Sequence, residues 1–408
     1  MFLELIRRRN PQFLDAISNL HASGALPPNC YAIDLDAVSR NATAFVEAAA
    51  PLGLTVFAMT KQLGRNPDVS AALVAAGITH AVGVDLQCAV AAYSGGLGIG
   101  HLGHLVQIPR HEAAVAAALR PLYWTVYNEA KAREAGAAAL ASGRVQDVLA
   151  RVYAPGDRFY PGHEGGFPAE EILEVARLVD TIPGLRFAGV TSFPATLFDQ
   201  TTRTAVATPN RATLTRVAQR LAAERGPVEV NAPGTTSVAV LQSLAEAGAT
   251  QVEPGHGLTG TTPLHAVTDL IEEPAIAYVS EVSHLHGGRA FVFGGGLYVD
   301  PVLGDARTNA LVVEPGTVDV AGVAPLAVEM PSPAAIDYYA TIPVDHPGQA
   351  RVGDTVIFGF RAQAFVTRAL TAAISGISTG HPKVAGIWAA DGSPRLAATF
   401  GAAPQDKE

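Results

Sequence analysis

From residue 54 onward, short β-branched and aromatic runs alternate with alanine-rich stretches of helical periodicity. The pattern predicts strands over 54–60, 80–84, 101–107, 122–126, 148–153, 185–191, 228–231 and 251–253. Between them it predicts helices over 68–76, 112–119, 128–142, 169–179, 211–224 and 238–247. Gly77, Gly143, Gly184 and Gly248 stand at the returns from helix to strand, where a left-handed residue ends a helix. Eight strand units in series predict an α/β architecture, a (β/α)8 TIM-type barrel. A doubly wound sheet is the alternative, and it normally carries fewer strands. Past residue 267 the helical pattern gives way to runs rich in Val, Gly and Pro, such as 290–293 and 354–358. The expected organisation is therefore an N-terminal helical extension over 1–29, a barrel over 30–267 and a mostly-β C-terminal domain over 268–408.

Composition narrows the class. Apolar residues make up 49% of the 408 residues and charged ones 16%, enough apolar material for a large core. The net charge of −9 gives no electrostatic case for nucleic acid or an anionic membrane. No apolar run is long enough for a transmembrane helix, and none after Arg7, Arg8 and Arg9 suits a signal peptide. Two cysteines, Cys30 and Cys88, cannot build a disulfide framework. A soluble, cytoplasmic protein acting on a small molecule is expected.

The candidate chemistry starts at Lys61. Of 28 basic residues only four are lysines: Lys61, Lys131, Lys383 and Lys407. Lys61 ends the first predicted barrel strand, where partial burial would lower an ammonium pKa and free the amine to form a Schiff base. Arginine cannot do this. A lysine snorkelling from a strand end is the plain alternative. The loops after strands seven and eight, 231–237 and 253–260, are rich in Gly, Ser and Thr. Barrels of this kind often bind phosphate there through backbone N–H groups and hydroxyls. Gly234, Thr235, Thr236, Gly255, His256 and Gly257 are the candidates, although ordinary βα turns favour the same residue types. An imine-forming lysine with a phosphate cradle points to pyridoxal 5′-phosphate (PLP).

The sequence resembles the alanine-racemase-type, or fold-type III, PLP enzymes over most of its length. The entry Cys30-Tyr31-Ala32-Ile33-Asp34-Leu35-Asp36-Ala37-Val38 and the run Phe57-Ala58-Met59-Thr60-Lys61 carry the resemblance. The stretch Gly359 to Ala369 resembles the YhfX-type subgroup in particular. The resemblance implies that Lys61 binds PLP, that Ser192 contacts the cofactor, and that the chain forms a homodimer with shared active sites. It also implies that Glu253, in Glu253-Pro254-Gly255, holds the ring nitrogen protonated, as in the decarboxylase branch. Tyr298, after Gly294-Gly295-Gly296, is a candidate second base, and His163 in the loop after strand five a candidate acid/base group. Tyr338 and Tyr339 have a weaker claim.

Departures matter as much. The decarboxylase branch uses a C-terminal cysteine, and this chain has none after Cys88. The region 353–367 holds no His or Cys of the kind that binds metal in the aldolase and dehydratase branch, so no metal is expected. The pair His284 and His286 alone is not a metal site. No arginine is evident for the substrate carboxylate. The expected activity is amino-acid racemisation or epimerisation by Cα proton abstraction. A PLP-dependent decarboxylase or lyase, or a non-catalytic PLP-binding protein, is the alternative.

Overall fold

The structure is a computed structural model and describes residues 1–300 and 307–395. Lys407 lies outside the described residues. The chain divides into two compact units, each assembled from separated stretches.

The unit formed by residues 37–60 and 70–273 is the expected barrel. Its parallel strands are Thr55–Val56, His80–Gly83, Gly98–Leu102, Tyr123–Val126, Gln146–Tyr153, Leu185–Thr191, Glu229–Asn231 and Gln251–Val252. Each pairs with its neighbours in chain order, and Gln251–Val252 returns to pair with Thr55–Val56. Closure between the first two strands runs through one bridge. Ala58 donates its N–H to the His80 carbonyl and accepts from Val82, both at 2.9 Å. Strand interiors are almost wholly buried, as parallel strands covered by helices require. At Gly189, any Cβ would overlap the Glu229 carbonyl of the adjoining strand, so the tight packing there needs glycine.

The third strand departs from expectation. The sequence predicts 101–107, but the strand is Gly98–Leu102. The glycines at 98 and 100 hide its start from a propensity reading. Gly100 is needed because a Cβ would drive into the Phe57 ring. The shift places His101 near the C-terminal end of the strand and His104 just past it. A second unpredicted feature is a hairpin, Thr196–Asp199 with Thr204–Ala207, in the connection after Leu185–Thr191.

The other unit comprises residues 1–36, 61–69 and those from 274 onward. It is mostly β. The sheet runs Leu326–Ala327, Asn309–Val313, Thr355–Phe358, Ile276–His286, Cys30–Asp34, Leu370–Ser375, Lys383–Ala389. Arg289–Phe293 and Tyr339–Pro343 extend it from the long strand Ile276–His286. The entry strand Cys30–Asp34, grouped with the barrel on sequence, hydrogen-bonds here, antiparallel to Ile276–His286 and parallel to Leu370–Ser375. All five of its residues are buried, so no alternation in the sequence indicates its partners. The N-terminal helices Phe2–Arg9 and Pro11–Ala22 bury Leu3, Ile6, Phe13, Leu14 and Ile17 against Ala277, Leu311, Ile357 and Ile374 of this sheet. Pro11 opens the second helix, where its missing N–H costs nothing. No helix among the described residues is long and apolar enough to cross a membrane.

Candidate active site

Ionisable and hydroxyl side chains collect at the C-terminal ends of the barrel strands. Glu253 follows Gln251–Val252 and is fully buried. Its Oε1 accepts from Asn231 Nδ2 at 2.8 Å and from His101 Nδ1 at 2.5 Å. Its Oε2 accepts no hydrogen bond among the described residues, and His104 Nε2 lies 3.6 Å away. Burial alone would push the carboxyl pKa up. The adjacent His104 and His101, with the hydrogen bonds from His101 and Asn231, outweigh it and hold Glu253 at about 2, so it is ionised near neutrality.

The partners are themselves anchored. Asn231 Oδ1 accepts from Thr191 Oγ1 at 2.8 Å, and His101 Nε2 bonds Thr125 Oγ1. His101, His104 and Glu253 also bring three ligand-type atoms within 4.8 Å of one another. The sequence offered no metal ligands here, because the strand shift concealed both histidines.

The two glycine-rich loops come together as expected. A Cβ at Gly257 would overlap the Thr236 carbonyl and lie 2.7 Å from the Phe45 ring. Thr236 Oγ1 donates to the Gly234 carbonyl at 3.4 Å. One of the candidate donors is already used: the Thr235 N–H donates to the Thr196 carbonyl at 2.9 Å. Gly234 is a glycine for a protein reason: a Cβ would overlap the Thr196 carbonyl and sit 2.8 Å from its nitrogen. The close approach of Thr196 by itself accounts for a glycine at 234. Among the described residues, the N–H groups of Thr236, Gly255 and Gly257 donate to no protein acceptor. The buried Oγ of Ser237 likewise has no hydrogen-bond partner. His256 is buried in the same loop.

Ser192 is buried after Leu185–Thr191, and its Oγ accepts from Asn210 Nδ2 at 3.3 Å. His163 is half-buried in the loop after Gln146–Tyr153. It joins an aromatic group with Tyr160 and Phe193, with ring centroids 5.9 and 6.1 Å from its own. The Phe193 ring in turn meets the His104 ring edge-on at 5.6 Å.

Arg151 is the residue the sequence reading missed. It is the largest fully buried side chain among the described residues. It donates to the carbonyls of His163, Gly165 and Phe193 and lies over the Tyr127 ring at 4.9 Å. No carboxylate pairs with it among the described residues, and its Nη1 has no hydrogen-bond partner. Burial lowers its pKa, against the pull of Tyr127. Only a lone arginine inside an apolar strand, Leu149-Ala150-Arg151-Val152, could have signalled it.

Two predicted residues belong to the other unit. Lys61 directly follows Thr60, the last barrel residue of its run, and opens a short turn, Lys61–Leu63. Within its unit its Nζ lies 4.7 Å from the Phe365 ring centre, in the stretch 359–369 singled out on sequence. Tyr298 follows the triple glycine and is 47% exposed. His284 and His286 are exposed, and His284 stacks on Phe291.

The residue set fits PLP. A buried, ionised carboxylate with one open oxygen suits a ring nitrogen. Unused N–H groups and a buried hydroxyl in two touching loops suit a phosphate.

The family model described as alanine racemase, N-terminal domain, matches residues 33–263, and that for the YhfX-like C-terminal domain matches 277–384. The Escherichia coli K12 protein YhfX is 38% identical over 387 residues, covering 95% of this chain and 97% of that protein. D-threonine aldolase from Filomicrobium marinum superposes with a TM-score of 0.63 at 19% identity, covering 89% of this chain and 94% of that one. Alanine racemase from Clostridium difficile 630, in complex with cycloserine, does so with a TM-score of 0.57 at 13% identity, covering 88% and 98%. D-threo-3-hydroxyaspartate dehydratase and diaminopimelate decarboxylase from Helicobacter pylori also share the fold, each with a TM-score of 0.62.

Proposed function

The chain belongs to the alanine racemase N-terminal domain family, whose enzymes are PLP-dependent, and from that premise we propose that it is an amino-acid racemase or epimerase working by proton transfer at Cα. When bound, PLP supplies an electron sink for the carbanion left at Cα. Lys61 Nζ is the attachment point, one residue beyond the barrel run that ends at Thr60, and serves as one acid/base group. Glu253 Oε2 holds a proton at the cofactor's ring nitrogen. Thr236, Gly255, His256, Gly257 and Ser237 hold the phosphate, and Ser192 lines the cofactor site.

The observation that carries this reading is Glu253. Its carboxylate is buried and ionised, and one of its oxygens is kept open. Such a group makes the electron sink strong without selecting which bond to Cα breaks. The absence of any cysteine after Cys88 favours deprotonation over decarboxylation. The protein acts as a homodimer, in which the exposed Tyr298 serves as the second base in the partner's site.

The test is a panel of amino acids incubated with PLP-loaded protein in heavy water. Exchange of the Cα hydrogen, without release of carbon dioxide or an aldehyde, is the expected result. Carbon dioxide without exchange into remaining substrate would favour a decarboxylase. Aldehyde release would favour an aldol-type lyase.

A further inference from the structure

The two oxygens of Glu253 stand in unequal surroundings. Oε1 receives two donors, Asn231 Nδ2 and His101 Nδ1, whereas Oε2 receives none among the described residues. Both donors are held from behind by a hydroxyl on a neighbouring barrel strand. Thr191 bonds the Asn231 carbonyl oxygen, which turns the amide nitrogen toward Glu253. Thr125 bonds the far nitrogen of His101.

The direction of each proton follows from the donor inventory. An ionised carboxylate only accepts, so His101 Nδ1 carries a hydrogen. The far nitrogen, Nε2, bonds the Thr125 hydroxyl, which has no other partner among the described residues. His101 is then a directional donor aimed at Oε1. His101 and Thr125 are both fully buried, so water cannot take over either bond.

We infer that His101, fixed by Thr125, is a positioning residue that pins Oε1 of Glu253 and thereby turns Oε2 toward the cofactor's ring nitrogen. The inference rests on the proposed PLP-dependent function. Without the His101 bond, the carboxylate keeps only the Asn231 tether. It can then swing toward His104, whose Nε2 is 3.6 Å from Oε2. The ring nitrogen would then lose its proton acceptor.

The geometry sets an asymmetric test. An asparagine amide nitrogen reproduces Nδ1 of histidine, and a glutamine amide nitrogen reproduces Nε2. His101→Asn therefore keeps the donor to Glu253, while His101→Gln reaches toward Thr125 and loses it. Full-length protein is loaded with PLP labelled with nitrogen-15 in the ring, and the ring-nitrogen chemical shift reports its proton. Kinetics of Cα exchange give kcat and KM separately. The wild type and H101N are expected to show the protonated shift. H101Q should lose it, with kcat reduced by on the order of 10²-fold and KM little changed, and H101N should lose far less. Thr125→Ser should behave as wild type in the shift, and Thr125→Val should move it toward that of H101Q, so the pair decides the matter if a His101 variant fails to fold.

A protonated shift in H101Q, or equal losses in H101N and H101Q, would overturn the positioning role. So would a Thr125→Val protein that keeps the wild-type shift. A wild-type protein that binds no PLP, or shows no ring proton, would overturn the functional reading itself, which separates the two failures.

Discussion

Replacing Glu253 with glutamine should flatten the acid end of the stability curve. Glu253 titrates at about 2 in the folded barrel, against an ordinary value of 4.5. A folded pKa below the unfolded one means stability that is complete above pH 4.5 and lost as pH falls through about 2. The separation corresponds to about 3 kcal/mol at neutral pH. No discount for solvent screening applies, because the carboxylate is fully buried. Glutamine has nearly the same shape and imitates the protonated acid, so Glu253→Gln should forfeit about that amount at pH 7. At pH 3 the wild-type advantage should have shrunk to about half. For a unit of this size 1 kcal/mol is worth about 2–4 °C, so the midpoints should differ by roughly 10 °C at pH 7 and about half that at pH 3. Thermal unfolding of the cofactor-free proteins between pH 7 and pH 3 measures this. A constant offset across the range would show that Glu253 is not held ionised by His101, His104 and Asn231, and the reading of the site would fail.

Three further outcomes follow from the same packing. Gly234→Ala should destabilise the barrel by about 1–3 kcal/mol, because its Cβ meets the Thr196 backbone; calorimetry of cofactor-free protein would show the loss with no PLP present. Arg151→Met should strand the carbonyls of His163 and Gly165, and limited proteolysis should then cut within 154–166 faster than in the wild type. Ser237→Ala removes a buried hydroxyl that has no protein partner, so it should leave the thermal midpoint of cofactor-free protein nearly unchanged while weakening PLP binding, measured by fluorescence titration.

Much of the barrel was legible because its strands are short apolar runs separated by amphipathic helices, and that contrast survives in one sequence. Glu253 was singled out through the resemblance of Glu253-Pro254-Gly255 to the decarboxylase branch, and Lys61 through the rarity of lysine and its place at the end of a predicted strand. The histidines around Glu253 were not. Glycines at 98 and 100 serve close packing against His80 and Phe57, and they break the β-propensity signal that would have placed the strand correctly. A shift of three residues moved His101 from the C-terminal end of its strand to the opposite end, away from the chemistry. Cys30–Asp34 was misgrouped for a different reason. A strand buried at every position has no polar face to reveal its partners, and these lie some 240 and 340 residues further along the chain. The glycine at 234 illustrates a third limit. Its neighbour Thr196 belongs to a hairpin that no local pattern announced, so the close backbone approach that bars a Cβ at 234 was not visible in the sequence.

The central claim, that Lys61 carries PLP, is tested most directly by reducing PLP-loaded protein with borohydride and mapping the modified peptide. The account predicts a visible-edge absorption band that disappears on reduction and a stable pyridoxyl label on Lys61, absent in Lys61→Ala. A label on Lys131 or Lys383, or no label on a protein that binds PLP, would contradict it.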